Sequence, residues 1–334
     1  MKNKKKIAVV TGGAGFIGSH MVDLLISKNF KVYVIDDLSG GHLKNLKQHK
    51  KNPNLILKKV NILNLSSKLN FLKKIDYIFH FAGIGDIIPS IEKPEEYMMV
   101  NVQGTVKVLE LAKKFKVKKF VYAASASCYG MTKKLTNENY SINTEHPYAL
   151  SKYLGEKATM HWHNVYGLRV NSIRIFNAYG PRVRTTGAYG AVIGVFFKQK
   201  IKSKPLTIVG TGKQTRDFVH VTDVARAFYA AAITSLCGKI YNVGTGNPQS
   251  VNHLANLIGG KKVTIPNRPG EPMTSSADIR KIKRDLKWSP LINFDDGIKE
   301  MLKVLYKWKD APLWTPKKIK KVTKTWFNYL SKKK

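Results

Sequence analysis

A chain of 334 residues is long enough to bury a large core and usually forms one large or two medium-sized domains. It has no apolar run of about 18 residues, which excludes a membrane-spanning helix, and its two cysteines, Cys128 and Cys237, fit no metal site and suit a reducing cytoplasm. The formal net charge of +37 comes from lysines spread along the whole chain without an arginine-rich stripe. We therefore interpret the charge as a solvated surface and expect no nucleic-acid partner.

The first predicted element is a buried strand over Ile7–Val10 that runs directly into a glycine-rich turn and a helix. The basic start, MKNKKK, is like that of a signal peptide, but the apolar segment behind it is too short for one. Gly12 permits a tight turn, Gly15 lets the backbone approach a pyrophosphate, and Gly18 lets the helix pack on its strand. The helix N-terminus then offers N–H groups to phosphates.

The second predicted strand, KVYVID, ends at Asp36, about twenty residues beyond the first glycine. An acid at this place binds the adenosine ribose, and its carboxylate would repel a ribose 2′-phosphate. Asp37 reinforces the same preference. The two strands, the glycine turn and the acid together predict a site for NAD rather than NADP.

Strands and helices continue to alternate through the first half of the chain. The predicted elements are a third strand LILKKV, a central fourth strand over Asp76–Gly83, a helix over Pro94–Phe115, a fifth strand KFVYAAS ending at Ser125, a helix over Tyr148–Val165 and a sixth strand RVNSIRIF. This alternation predicts an α/β fold with a doubly wound, Rossmann-type parallel sheet.

Beyond Asn177 the pattern is less regular and predicts a smaller C-terminal substrate-binding lobe. We place the NAD-binding domain at residues 1–176, allowing part of the later chain to return to it, and the lobe with a C-terminal helix at 177–334. The last segment, from Pro316, places apolar residues on one helical face and lysines on the others. Membrane association is one interpretation of such a helix, and docking on the protein's own core is the favoured one.

The pentapeptide YALSK places Tyr148 and Lys152 four residues apart, on one face of a helix. An ammonium and a cationic nicotinamide nearby would lower the tyrosine pKa from about 10 towards 7, which requires about 4 kcal/mol. Tyr148 would then transfer a proton. Ser125 ends the fifth strand, at the edge where open α/β sheets bind ligands, and Ser127 lies close by.

Six motifs occur in order along the chain: TGGAGFIGSH, HFAG, SASCYG, YALSK, RIFNAYGPR and QTRDFVHVTDVA. Together they resemble the extended short-chain dehydrogenase/reductases, specifically the NAD-dependent nucleotide-sugar epimerase/dehydratase family. The resemblance implies bound NAD and a catalytic set of Ser125, Tyr148 and Lys152. The cofactor contacts that it implies are Gly12, Gly15, Phe16, Ile17, Gly18, Asp36, Asp37, Asn61, Ile62, Phe81, Ala82, Gly83, Asn101, Tyr148 and Lys152.

The resemblance also implies how a nucleoside-diphosphate sugar is bound. Arginine suits the diphosphate because its fork engages phosphate oxygens in pairs. The substrate contacts implied are Ser125, Ser127, Tyr148, Asn177, Arg184, Arg216 and Arg268. The family further implies a homodimer formed through the helices that contain residues 101–115 and 148–165.

Two departures from the family pattern concern the cofactor and the reaction. The pair that often ends in an adenine-binding Asp here reads Val60 and Asn61, whose amide oxygen still accepts a hydrogen bond. The acids that dehydratases carry after the catalytic Ser, and the glutamate usual in decarboxylases, are replaced by Ala126 and Ser127. What remains is hydride transfer and its reversal, as in a 4-epimerase.

The sequence therefore predicts an NAD-dependent 4-epimerase of a nucleoside-diphosphate sugar that works through a transient 4-keto intermediate. The substrate is expected to be a UDP-hexose, a UDP-hexuronic acid or a UDP-N-acetylhexosamine. The uronic acid is included because Arg184 stands where related uronic-acid epimerases place a carboxylate-binding arginine. The alternatives are a decarboxylase or oxidoreductase of the same family, and a basic NAD-binding interaction protein without enzymatic activity.

Overall fold

The computed structural model describes residues 5–65, 74–132, 135–183, 192–267 and 271–331. At its centre lies a seven-stranded sheet in which every neighbouring pair is parallel, with the strand order β7-β6-β5-β4-β1-β2-β3. The strands are β1 (Ile7–Thr11), β2 (Lys31–Asp36), β3 (Leu55–Lys59), β4 (Tyr77–His80), β5 (Lys119–Ser125), β6 (Val170–Ile175) and β7 (Lys239–Val243). The predicted doubly wound parallel sheet is confirmed.

Helices surround the sheet and build the smaller lobe, and none within the described ranges combines the length and apolarity that crossing a membrane requires. The α-helices are α1 (Phe16–Ser27), α2 (Ile87–Glu92), α3 (Pro94–Met98), α4 (Gly104–Lys114), α5 (Pro147–Tyr166), α6 (Val192–Ile201), α7 (Val221–Ile233), α8 (Val251–Ile258), α9 (Arg280–Leu286), α10 (Phe294–Lys303), α11 (Pro316–Val322) and α12 (Lys324–Leu330). Short 3₁₀ turns cover Leu43–His49, Ile62–Asn64, Ala126–Tyr129 and Leu305–Trp308.

The two faces of the sheet pack into separate cores, which explains the continuous apolar runs of its strands. Along β1, Ala8 and Val10 join the core beneath α1 and α7, whereas Val9 joins the core beneath α4 and α5. Successive side chains of a strand point to opposite faces. A strand buried on both faces therefore needs apolar residues at every position.

The predicted helix over Pro94–Phe115 is not continuous. The structure divides it into α3, a π-helical turn over Met99–Gln103, and α4. A π turn adds one residue to a helical turn and leaves the chain helical on both sides, so the apolar pattern of the whole segment predicts one helix.

The smaller lobe surrounds a third core, which contains Phe196, Phe197, Leu254 and Ile298. Its short strands pair as Asn177–Tyr179 with Phe218–His220, Leu206–Val209 with Lys262–Ile265, and Thr215–Arg216 with both Gln249–Ser250 and Thr274–Ser275. The later chain also supplies α7 and β7 to the main sheet layer. A boundary at residue 176 therefore divides the sequence but not the sheet.

The C-terminal segment docks on the core of this lobe, which is the interpretation that the sequence favoured over membrane association. Ile319 and Trp326 are buried in the core, and Val322 and Leu330 pack against it. The segment forms two helices rather than the single one predicted. Thr323 separates them, and its hydroxyl donates a hydrogen bond back to the Ile319 carbonyl at 2.8 Å, a bond that often bends helices.

A buried ion pair fixes α5 against β6. Arg174 Nη2 donates to Glu156 Oε1 at 2.6 Å, and the two side chains are 4% and 1% exposed. The Ser172 hydroxyl donates to the other carboxylate oxygen at 2.9 Å. Because both charges are desolvated and hydrogen-bonded, removal of one would leave the other uncompensated.

We expect Glu156→Ala to lower the free energy of unfolding by about 3–5 kcal/mol, because the Arg174 guanidinium would remain buried without its partner. Urea denaturation followed by circular dichroism measures this change. Glu300→Ala, which breaks an exposed pair with Lys303, is the control and should cost less than about 1 kcal/mol. Equal effects of the two substitutions would contradict the role given to the buried pair.

Candidate active site

The glycine turn after β1 is packed so closely that side chains cannot enter it. Gly12 has φ +69°, and a Cβ there would lie 2.7 Å from the Ala82 nitrogen. A Cβ on Gly18 would lie 2.2 Å from the Gly12 carbonyl oxygen. The Gly15 N–H donates to that same oxygen at 3.0 Å, and α1 begins directly after Gly15. The turn therefore has the close backbone approach that pyrophosphate binding at a helix N-terminus requires.

Asp36 lies at the carboxyl end of β2, beside this turn, as the sequence predicted. Its Oδ2 accepts the Ala14 N–H at 2.9 Å and its Oδ1 accepts the Leu38 N–H at 2.8 Å. Burial raises the pKa of this carboxyl, although the two backbone donors oppose the shift. A carboxylate has about four lone-pair sites, so each oxygen retains capacity for a ribose hydroxyl.

Asp37, which follows β2, and Asn61, which follows β3, are hydrogen-bonded to each other. Asn61 Nδ2 donates to Asp37 Oδ2 at 2.8 Å, and Asn61 Oδ1 accepts the Leu63 N–H at 2.9 Å. The amide oxygen predicted to face adenine therefore also caps a 3₁₀ turn. Its second lone pair is what the adenine contact would use.

The other residues predicted to contact the cofactor gather at the same edge of the sheet. Phe16 and Ile17 begin α1, and Phe81, Ala82 and Gly83 follow β4. Ile62 lies against Gly104, where a Cβ would come within 2.5 Å of Ile62 Cδ1. The glycine turn and the buried Asp36 carboxylate together form a cradle whose shape and polar groups fit an NAD molecule.

A chain of buried hydrogen bonds beneath the cradle was missed by the sequence analysis. The Thr105 hydroxyl donates to the Asn101 carbonyl at 2.7 Å and so accepts from His80 Nε2 at 2.9 Å, while His80 Nδ1 contacts the Thr11 hydroxyl at 2.6 Å. Burial lowers the pKa of His80 to about 3, so the ring is neutral at pH 7. The sequence did contain a signal for this network, because Thr11 and His80 are polar residues that end the apolar strands β1 and β4.

Asn101, on the π turn, ties the loop after β4 to α5. Its Oδ1 accepts the Ile84 N–H at 2.8 Å, and its Nδ2 donates to the Ile84 carbonyl at 3.0 Å and to Ser151 Oγ at 2.9 Å. A Cβ on Gly83 would lie 2.8 Å from Asn101 Oδ1 and 3.7 Å from Lys152 Nζ. Asn101 therefore positions the loop beside Lys152.

The structure brings two of the predicted catalytic side chains, Ser125 and Tyr148, to the wall of one cavity. Ser125 Oγ lies 2.8 Å from Ser127 Oγ. Lys152 Nζ lies over the Tyr122 ring, 4.6 Å from its centroid. The His146 ring stacks on the Tyr148 ring with centroids 5.9 Å apart and planes 3° apart, a neighbour that sequence reasoning missed.

The predicted lowering of the tyrosine pKa includes the charge of a bound nicotinamide, and the protein's own groups act in the opposite direction. Burial raises the pKa of Tyr148, and the Ser125 hydroxyl only partly opposes this shift. Burial also lowers the pKa of Lys152 to about 8, against the pull of the Glu156 carboxylate. Desolvation disfavours both charged forms, so the groups of the chain alone do not lower the tyrosine pKa as predicted.

A cavity of about 500 Å³ connects these side chains to the smaller lobe. Ser125, Ser127 and Tyr148 line it together with Asn177 and Arg216. Arg184 and Arg268, the other predicted substrate contacts, lie outside the described residues.

Arg216 is held at the cavity wall by three bonds. Its Nη1 donates to the carbonyls of Thr215 and Pro272 at 2.9 and 2.8 Å, and its Nη2 donates to Glu271 Oε1 at 2.7 Å. These bonds use three of the five guanidinium N–H groups and fix the plane of the fork. The remaining donors are those that a phosphate oxygen would engage.

Residues 8–244 match the NAD dependent epimerase/dehydratase family. The chain belongs to this family. The resemblance stated from the sequence is thus confirmed, and the NAD dependence of the family agrees with the fit of the cradle.

Named relatives give the family context more precisely. Over 301 residues the chain is 34% identical to the UDP-glucose 4-epimerase of Mycolicibacterium smegmatis, a match that covers 87% of this chain and 95% of that protein. The structure of the UDP-N-acetylglucosamine 4-epimerase from Methanobrevibacter ruminantium M1, in complex with UDP-N-acetylmuramic acid, superposes with a TM-score of 0.86 at 31% identity and covers 91% of this chain and 99% of that one.

A third protein, the UDP-glucuronic acid 4-epimerase from Bacillus cereus in complex with UDP-glucuronic acid and NAD, superposes with a TM-score of 0.84 at 28% identity, with coverage of 90% and 99%. UDP-glucuronic acid decarboxylases also occur among the relatives of this family member. The sugars named for these proteins differ, so family membership does not identify the sugar that this protein binds.

We expect Gly18→Ala to prevent NAD retention and to destabilise the protein by about 1–3 kcal/mol, because the new methyl group would collide with a backbone oxygen. NAD released on denaturation of the purified protein, together with thermal unfolding, measures both effects. Gly40→Ala is the matched control, since a Cβ there has no heavy atom within 4 Å. Full NAD occupancy in Gly18→Ala would contradict the role given to this contact.

Proposed function

We propose that this protein is an NAD-dependent 4-epimerase of a nucleoside-diphosphate sugar, with a UDP-sugar as substrate. The observation that carries the proposal is the placement of Ser125, Tyr148 and Arg216 on the wall of one cavity. A proton-transfer group and a phosphate-binding group on one cavity match a substrate with a reactive hydroxyl and a diphosphate.

The residues of the chain divide the chemistry between them. Ser125 holds the C4 oxygen of the sugar by a hydrogen bond, and Tyr148 takes the proton of that hydroxyl and later returns it. NAD, when bound, would supply the acceptor and donor of the C4 hydride. Lys152, on the same helix as Tyr148, would bind the nicotinamide ribose.

The raised pKa of Tyr148 limits when this proton transfer can occur. Burial disfavours the phenolate, and burial also draws the pKa of Lys152 down to about 8. A positive nicotinamide ring in the pocket would favour phenolate, whereas a neutral ring would not. A bound cationic nicotinamide would therefore act against the effect of burial on Tyr148.

The two sequence positions that follow Ser125 carry no acid, and this favours epimerisation over the other reactions of the family. Ala126 has no ionisable group, and Ser127 Oγ lies 2.8 Å from Ser125 Oγ. A decarboxylase or a net oxidoreductase remains the alternative and would be recognised by the product mass or by NADH release. A basic NAD-binding protein without activity would not need Ser125 and Tyr148 on the wall of one cavity.

We expect Tyr148→Phe to lower kcat for epimerisation by about 10²- to 10⁴-fold with little change in KM, because it removes the proton-transfer group while keeping the ring. The measurement is interconversion of UDP-sugar epimers without added NADH, followed by chromatography. Tyr166→Phe, at an exposed site on the same helix, should leave kcat unchanged. An NAD-loaded enzyme inert on UDP-glucose, UDP-glucuronate and UDP-N-acetylglucosamine would refute the proposal.

The surface formed by α4 and α5 supports a homodimer. Leu150 and Leu154 are one turn apart on α5 and are each 37% exposed, and Met99 lies exposed on the adjoining π turn. Apolar side chains at such spacing are typical of a helix that packs against a partner. The proposed partner is a second copy of this chain.

We expect Leu154→Glu to shift the protein from dimer to monomer, because it places a charge in the centre of this apolar strip. Sedimentation velocity at several protein concentrations measures the shift. Leu291→Glu is the control, since Leu291 is exposed on a different surface. A wild-type monomer, or an unaffected Leu154→Glu dimer, would show that this surface is not the interface.

A cytoplasmic location is also proposed. Cys128 and Cys237 are both free thiols, and Cys128 is buried. Free thiols suit a reducing compartment.

A further inference from the structure

His146, the residue before helix α5, is held in place by the start of that helix. Pro147 is the first helical residue and favours an extended backbone at the residue before it, and His146 has φ −152° and ψ 162°. From this position its Nδ1 accepts the Ala149 N–H at 3.2 Å and caps the helix. Because Nδ1 is the acceptor, the ring is neutral and carries its proton on Nε2.

The same imidazole packs against the phenol of Tyr148. The two rings are parallel to within 3°, and His146 is 9% exposed and lines the cavity together with Tyr148. Tyr97 on α3 meets the Tyr148 ring edge-on with centroids 6.4 Å apart, and its own hydroxyl donates to the Asp86 carbonyl at 2.9 Å. The phenol is therefore held by two rings, one from the helix cap and one from α3.

The cap alone does not require a histidine. Short polar side chains cap helices well, and Ser250, Asn293 and Thr315 cap α8, α10 and α11 in this way. An imidazole adds an aromatic face, which here contacts Tyr148, and a proton that it can gain between about pH 5 and pH 8. These two properties connect the cap to the proton-transfer group.

Protonation of His146 would undo this arrangement. An imidazolium donates from both nitrogens, so Nδ1 could no longer accept the Ala149 N–H. Its charge would also lie at the N-terminus of α5, where the helix dipole is already positive. Loss of the cap loosens the first turn of α5, which is the turn that carries Tyr148.

Other charged and titratable side chains surround the pair. The carboxylates of Asp86, Glu145 and Glu271 line the same cavity and would favour an imidazolium, whereas the Arg216 guanidinium, which also lines it, would oppose one. Near Tyr148 there are in addition Tyr97 on α3, Cys128 in the turn after β5, and Lys152 one turn further along α5. A test of His146 must therefore separate its titration from those of its surroundings.

We propose that His146 is a positioning residue for the proton-transfer step, and that only its neutral ring holds Tyr148 in the place that the reaction requires. The proposal rests on the proposed function, because it assumes that Tyr148 takes the proton of the C4 hydroxyl. When the ring gains a proton from solvent, the cap is lost and the phenol is no longer held. Epimerisation therefore decreases by an additional factor as the pH falls.

The test compares kcat for epimerisation in the wild type and in His146→Asn between pH 8 and pH 5, with whichever of UDP-glucose, UDP-glucuronate and UDP-N-acetylglucosamine the wild type converts fastest. Asparagine caps helices but has no aromatic ring and no proton to gain in this range. At pH 8 the wild-type kcat should be about 3- to 10-fold higher, the contribution of one aromatic pair, with KM unchanged. This ratio should fall to about 1 at pH 5. Titrations of the surrounding groups occur in both proteins and cancel in the ratio.

His161→Asn is the matched control, because His161 is exposed on the same helix, and its ratio to the wild type should stay near 1 at every pH. A purely structural role of His146 would lower kcat by the same factor at every pH. An active wild type whose ratio to His146→Asn does not change with pH overturns the proposal while the epimerase function stands. His146→Ser, with a smaller capping side chain, repeats the test if the asparagine variant does not fold. A wild type inert on all three UDP-sugars overturns both proposals.

A second measurement does not depend on activity. In protein labelled with ¹⁵N in its histidine rings, the His146 signals are identified by their absence from the variant, and their nitrogen chemical shifts report which ring atom carries the proton. At pH 8 the proton should be on Nε2, because Nδ1 accepts the Ala149 N–H. A proton on Nδ1 at pH 8 would show that the cap does not form and would overturn the proposal.

Discussion

The packing of backbone against backbone at the end of β1 is the constraint on which the active site depends. Gly12 and Gly18 leave no space for a Cβ between the turn, the loop after β4 and helix α1. Because β1 pairs in parallel with both β2 and β4, the ends of these strands meet at one edge. The sheet therefore brings Asp36, Gly83 and Ser125 to the same edge. Ser125 lies at the end of β5, which is the next strand after β4.

Features that depend on neighbours in sequence were predictable. The fifth strand was placed correctly from Lys119 to Ser125, and the helix that carries Tyr148 and Lys152 was predicted to within a residue or two at each end. Features that depend on distant contacts were not. The π turn at Asn101 is stabilised by bonds to Ile84 and Ser151, far away along the chain, so no local pattern reveals it.

Burial is another property that the spacing of residues in the sequence does not predict. The four-residue interval between Tyr148 and Lys152 predicts proximity, and together with a cationic nicotinamide it predicts a lowered tyrosine pKa. The structure adds the desolvation of both side chains, which acts against each charge and raises the pKa of Tyr148 in the protein alone. Burial also separates two lysines from the solvated surface that the sequence predicts. Lys119 and Lys198 are buried, and each donates to a backbone carbonyl. Net charge alone does not distinguish such lysines from the solvated majority.

The proposed cofactor site and the cavity are built from different parts of the fold. Residues proposed to hold the cofactor follow β1, β2 and β4, whose positions are fixed by the register of the sheet, so a shift of one strand would displace residues of this site. The cavity is lined in part by Ile87, Met301 and Trp326, which come from three separate helices. Tyr148 lies on helix α5 and lines the same cavity. The proposed reaction therefore depends on the sheet for the cofactor site and on a helix for the proton-transfer group.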